Sequence, residues 1–191
     1  MQMRKQFVYI FFIGILAVFL NFTSSDENDF NYVGVNKCRI CHMTKKIGNQ
    51  YKIWKNSLHS KAYEVLATPV AKAQAKEKGV EGDPQQAEEC LRCHTTAAGA
   101  APDKLASGFK RELGIQCETC HGPGSGYAST KVKSAKLYKE NREETSKRVF
   151  EMGLKLPTAE VCLECHEEPA FDFEEYKKII AHPVPQADKN R

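Results

Sequence analysis

The chain reads as mostly α with little or no sheet, a compact body of short helices wrapped around large attached groups instead of an apolar core. Three observations lead there. All eight cysteines fall into four copies of one short pattern. Charged residues make up 27% of the chain, leaving too little apolar sequence between the copies for an ordinary core. Apolar residues recur at helical spacings, with glycine, proline and capping residues where helices should stop.

The pattern identifies the attached groups. Cys38-Arg-Ile-Cys41-His42, Cys90-Leu-Arg-Cys93-His94, Cys117-Glu-Thr-Cys120-His121 and Cys162-Leu-Glu-Cys165-His166 use every cysteine and put histidine behind the second one each time. A CxxC pair alone fits half a zinc site or a redox dithiol, but neither demands the histidine. The repeated CxxCH is the attachment signature of c-type haem, in which two thiols add to the porphyrin vinyl groups and the histidine becomes the proximal iron ligand. The cofactor-binding residues are therefore Cys38, Cys41, Cys90, Cys93, Cys117, Cys120, Cys162 and Cys165, and His42, His94, His121 and His166 bind metal. Four covalent haems c, closely packed, would form the core of a multihaem cytochrome c.

The elements follow in order. Residues 7–20 are uninterruptedly apolar, with Arg4 and Lys5 before them and a polar stretch after. That layout gives residues 1–25 as a signal peptide cleaved before Asp26, or as an N-terminal anchor on the outer face of the cytoplasmic membrane. Residues 26–191 form the haem domain, placed in the periplasm or otherwise exported. Ile47, Tyr51, Trp54, Leu58, Ala62 and Leu66 predict one amphipathic helix over 45–67, ended before Pro69. A second helix covers "VAKAQAKEK" and stops at Gly79. Asp83-Pro84 reads as an N-cap and first turn, starting a helix that delivers Cys90 to His94. Residues 128–152 predict a long charged helix closed by Gly153, with Lys131, Lys133, Lys136, Lys139 and Arg142 as a basic face, solvated or used for docking. Thr158 caps a short helix carrying Cys162 to His166, and a last helix, 172–181, ends near His182 because Pro183 follows.

Two of the six histidines stand outside the motifs, His59 in "WKNSLHSKAY" and His182 in "KKIIAHPVP". Both are candidate distal iron ligands, against the alternative of surface or capping histidines. Met43 reads as packing, and Met152 as either a core residue or a ligand. At least one iron is then a candidate for an open or water-bound position, the alternative being a Lys or a partner chain as its ligand. Gly122, Gly124 and Gly126 are a generic turn or a place where backbone and a neighbouring macrocycle approach the third haem closely.

At "YVGVNKCRICH", "WKNSLHSKAY", "CLRCH", "GIQCETCHGPGSGY" and "CLECH" the chain resembles the tetrahaem cytochrome c-554 family. The W-x-x-S-x-H segment and the C-E-x-C-H-G-P-G turn are its more specific marks. The resemblance implies a mostly α fold with haems in stacked pairs, His59 ligating the third haem, His182 the fourth, and a five-coordinate second haem. The family also places a histidine shortly after the third motif for the first haem, and "YASTKVKSAKLYK" has none. The function expected is electron transfer between redox partner proteins, an oxidoreductase or other cytochromes. Two alternatives stand beside it: reduction of nitric oxide, nitrite or hydroxylamine at an open haem, and quinol oxidation by a membrane-anchored cytochrome. A formal net charge of +4, offset by haem propionates, gives no support to nucleic-acid binding.

Overall fold

The computed structural model describes residues 30–129 and 131–182, and the expected signal or anchor over 1–25 lies outside them. The described residues are mostly helical. Their sheet content is one isolated parallel bridge, Tyr32 to Leu105, in which Tyr32 N–H donates to Lys104 O at 2.8 Å and Ala106 N–H to Tyr32 O at 2.9 Å.

Gly34, at φ 80°, turns the chain into α1, Val35–His42, which carries the first motif. The single helix expected over 45–67 is instead a series of pieces: a 3₁₀ turn Lys45–Ile47, α2 Gln50–Lys55, a 3₁₀ turn His59–Lys61 and α3 Ala62–Val65. Gly48 (φ 102°) and Asn49 (φ 57°) adopt left-handed backbone that no helix interior accepts. Further on, Ser57 Oγ donates to Trp54 O at 2.7 Å and Ser60 Oγ to Ser57 O at 2.9 Å. These hydroxyls compete with the helical ladder and end α2.

α4, Pro69–Glu77, stops before Gly79 at φ 75° as the sequence predicts, but it begins at Pro69, read from sequence only as the end of the preceding helix, with Thr68 Oγ1 accepting from Ala71 N–H at 3.2 Å. Asp83 accepts from Gln85 N–H at 3.1 Å but caps a separate turn. α5, Glu88–His94, starts later, after Ala87. α6, Cys117–His121, holds the third motif. The expected long helix over 128–152 is two, α7 Ala135–Glu140 and α8 Arg142–Glu151. Asn141 separates them: its backbone is extended, its side chain caps Glu144 N–H at 3.0 Å, and Thr145 Oγ1 donates back to Leu137 O at 3.1 Å. α9 is Ala159–Leu163, with Cys165 and His166 in the turn beyond it, and α10 is Phe173–Ile180, capped by Asp172.

Buried apolar side chains among the described residues are few: Val35, Leu66, Ala75, Leu91, Ile115, Tyr127 and Val149. Large apolar side chains face outward instead, Leu58 at 86% and Ile179 at 73% exposure. The best-buried patch is polar. Glu118 accepts backbone N–H groups from Val33 (2.8 Å), Gly34 (2.7 Å) and Gly124 (2.7 Å). Beside it, Gln116 Oε1 accepts from Val35 N–H at 2.8 Å and Gln116 Nε2 donates to Lys110 O at 2.9 Å. One carboxylate and one amide thus tie the entrance of α1 to the third motif and the glycine turn.

That turn is tight because protein atoms fill the space beside it. A Cβ on Gly124 would stand 2.9 Å from both Glu118 Oε1 and Val33 Cγ2, and one on Gly126 would strike Met152 O and the Phe30 ring. What these two glycines admit is the chain's own backbone and side chains.

Candidate functional site

Each motif histidine is held by its Nδ1. His42 Nδ1 lies 3.2 Å from Gln50 Oε1, His94 Nδ1 2.6 Å from Ala62 O, His121 Nδ1 3.0 Å from Lys155 O, and His166 Nδ1 3.0 Å from Glu168 Oε1. All four partners are acceptors, so Nδ1 carries the proton and Nε2 keeps its lone pair for a metal. Gln50 is itself fixed, by donation of Nε2 to Ile47 O.

The two remaining histidines face motif histidines. The His59 and His166 ring centroids are 6.1 Å apart, and those of His121 and His182 are 5.9 Å apart. With a metal–imidazole bond of roughly 2 Å on each side and roughly 1 Å more from nitrogen to ring centre, two imidazoles sharing one metal stand about 6 Å apart. The spacing fits an axial pair. All six histidines are half-buried. Burial is also the main reason why the pKa values of His42, His59 and His182 are lowered, which favours the neutral imidazole that binds metal. The partners are the reverse of those the family resemblance implies: His59 faces the histidine of the fourth motif, and His182 that of the third.

Among the described residues the eight motif cysteines form no disulfide. Cys93 Sγ donates to Glu164 O and Cys165 Sγ to Arg92 O, each at 3.9 Å, and Glu118 of the third motif accepts Gly34 N–H at the entrance of α1. The first and third motifs therefore adjoin, and so do the second and fourth. Among the described residues no three His, Cys, Asp or Glu side chains converge as a metal-ion cluster. The donors come instead as CxxCH turns, two of them faced by a second imidazole, and this donor set fits c-type haem.

His59 is placed by a clasp. Trp54 Nε1–H donates to Ile115 O at 2.7 Å, Ile115 N–H donates to His59 O at 2.9 Å, and Gly114 sits so close that a Cβ there would stand 2.6 Å from His59 O. Tyr51 packs on Trp54 at 5.5 Å between ring centroids. On the other side, Phe171 stacks on His166 at 4.8 Å and 10°.

Sequence reasoning missed Glu118, Gln116 and the Nδ1 acceptors. Only Glu118 carried a usable signal, an acidic residue inside a haem motif directly before Gly-Pro-Gly. Lys133, expected on a basic outer face, is half-buried within electrostatic reach of Cys38, Cys41 and His42.

Comparison with known proteins agrees with this arrangement. The family described as cytochrome c554 and c-prime matches residues 37–122, which hold the first three motifs and both segments of the clasp. Cytochrome c-554 of Nitrosomonas europaea is 29% identical over 161 residues, covering 80% of this chain. The matched stretch spans 66% of that relative's length. No solved structure matches.

Proposed function

We propose that the chain, which is similar to the family of cytochrome c554 and c-prime over residues 37–122 and to cytochrome c-554, is a periplasmic electron carrier holding four haems c and passing electrons between redox proteins. The observation that carries this is the meeting of motif turns: the first is bonded to the third through Gly34 and Glu118, and the second to the fourth through Cys93 with Glu164 and Cys165 with Arg92. Attachment sites so arranged set two pairs of haems side by side.

Bound haem supplies a reversible ferric–ferrous couple. The chain's own residues set its surroundings. Gln50, Ala62, Lys155 and Glu168 orient the proximal imidazoles. His59 and His182 close the far side of the fourth and third sites, which keeps those irons low-spin and without exchangeable ligands. No imidazole ring faces His94 among the described residues, and this favours the second reading, binding of a small nitrogen species at the second site. Turnover there also requires proton delivery, for which the stretch after that motif offers few titratable groups, Asp103 and Lys104 among them.

Paramagnetic resonance of the oxidised protein tests the ligand set. His59→Ala should convert the iron of the fourth motif from low-spin to high-spin, and His182→Ala that of the third; an unchanged spectrum removes the residue concerned. Steady-state reduction of nitrite and hydroxylamine, run beside stopped-flow electron exchange with a partner cytochrome, separates carrier from enzyme. Turnover at ordinary enzyme rates, about 1–1000 per second, would overturn the carrier reading.

A further inference from the structure

We propose that the surface around the first motif is a docking port for an acidic redox protein, through which electrons pass between that partner and the first haem. This deepens the carrier reading and rests on it. Residues 30–63 contain seven Lys and Arg and no Asp or Glu, whereas residues 156–176, around the fourth motif, contain seven Asp and Glu and no Lys or Arg. Between the two segments the signs are mixed. All seven cations of the first segment are exposed. Lys37 and Arg39 lie on α1, Lys45 and Lys46 on the following 3₁₀ turn, and Lys52 and Lys55 on α2. Lys61 follows in the turn that begins with His59. α1 and α2 are tied together, with the Arg39 guanidinium 5.8 Å from the centre of the Tyr51 ring and His42 Nδ1 3.2 Å from Gln50 Oε1. The cations therefore stay gathered around the turn that carries Cys38, Cys41 and His42.

Charge bookkeeping selects a partner from outside the chain. The acidic segment is already answered in part from within: Glu167 pairs with Arg92 at 3.6 Å, Glu174 with Lys177 at 3.2 Å and Glu175 with Lys178 at 2.7 Å. No cation of the first segment has a carboxylate partner among the described residues. In the other basic stretch, 131–142, Lys136 pairs with Glu140 at 3.8 Å and Lys133 is half-buried. Like charges gathered without counter-charges repel one another in the free chain; a surface of opposite sign relieves that repulsion and is steered in from a distance. The two propionates of one haem offset at most two of the seven charges. A lipid surface would satisfy the charge but carries no redox centre to set beside a haem attachment turn. A second copy of this chain would have to break the pairs that its acidic segment already makes.

The test uses oxidised holoprotein, its haems confirmed by peptide mass analysis, and reduced flavodoxin, an acidic flavin protein, as the probe. One electron leaves the flavin hydroquinone, giving the semiquinone, and turns one ferric haem ferrous; stopped flow reads the second-order rate. The wild-type rate should fall about tenfold or more as ionic strength rises from about 0.01 M to about 1 M and the screening length shrinks from about 30 Å to about 3 Å. The triple variant Lys37→Glu, Lys45→Glu, Lys46→Glu should lose about tenfold or more at low salt and almost nothing at high salt. The triple variant Lys72→Glu, Lys76→Glu, Lys78→Glu changes the net charge equally, in and just after α4 where the signs are mixed, and should lose less than about threefold. Carbodiimide coupling of the wild-type pair, followed by peptide mapping, should join flavodoxin carboxylates to lysines within residues 37–61. Equal losses in the two variants, no loss in either, or cross-links that fall on lysines beyond 61 overturn the port. So do cross-links that join two copies of the chain through these lysines, or vesicles of phosphatidylserine that bind the wild type and not the first variant while the flavodoxin rate is unchanged. Each of these leaves the carrier reading intact, because electrons still arrive; no reduction at any salt brings down both. If the first variant fails to mature, the salt dependence and the cross-links of the wild type still decide.

Discussion

Two parts of the molecule are held together by different means. From Phe30 to Ala128 the chain is knitted by bonds between distant residues: Asn31 to Ser125, Val33 and Gly34 to Glu118, Val35 to Gln116, Trp54 to Ile115. Beyond residue 156 the side-chain pairs are mostly local, Lys177 with Glu174, Lys178 with Glu175 and His166 with Glu168. Neither α9 nor α10 buries a side chain. Yet the second part supplies His166 and His182, and it meets the first through the ring pairs with His59 and His121 and through Arg92 and Cys93 against Glu164, Cys165 and Glu167. In the proposed holoprotein, coordination to iron fastens the C-terminal arm much as a core would.

The largest test of this contrast is removal of haem. Chain produced without haem attachment should lose hydrogen-exchange protection throughout α9 and α10 while keeping measurable protection in α1 and α6. Equal loss in both parts, or retention in both, would erase the distinction. Next comes Gly114→Ala, which places a methyl against His59 O at a φ of 71°. It should cost roughly 2–4 kcal/mol in urea unfolding and perturb the low-spin signal of the iron between His59 and His166; a cost near zero would show that the clasp yields.

Glu118→Gln should cost about 1–3 kcal/mol, because an amide presents one oxygen where three N–H groups converge. Burial raises the Glu118 pKa against those three donors. The native chain thus keeps this proton to higher pH than the unfolded chain, and stability falls as pH climbs from the ordinary carboxylate range through the raised value. Glu118→Gln should flatten that slope in thermal melts taken across pH. The smallest effect belongs to the arm: Glu175→Ala breaks an exposed pair at 2.7 Å and should shift stability by about 0.3 kcal/mol. A shift several times larger would mean that the arm depends on its own surface pairs.

Sequence reading found what was local. CxxCH spacing marked all four turns, Thr158 marked the start of α9, and Gly79 and Gly153 marked stops. It failed where one residue answers to a distant one. Trp54, Leu58 and Ala62 have helical spacing, but Ser57 and Ser60 turn their hydroxyls on the backbone and the indole reaches across to Ile115. Periodicity likewise ran through Asn141 because a cap and an interior residue look alike until the side chain is seen to bond forward to Glu144. The histidine pairs were half legible. Histidine count singled out His59 and His182 as candidate ligands, while which motif histidine each faces depends on how the arm returns, and no local spacing records that.

The Nδ1 partners also bear on how the protein is made. His94 finds its acceptor at Ala62, upstream, and His166 finds its own two residues ahead at Glu168, so both can settle as soon as the chain emerges. His121 must wait for Lys155, and the entrance of α1 must wait for Glu118, 84 residues after Gly34. Closing so long a loop is slow relative to local turns. The bonds at the entrance of α1 therefore form only when the third motif has been delivered, and Gly34 and Glu118 make the closing of the first motif a late, long-range event in folding.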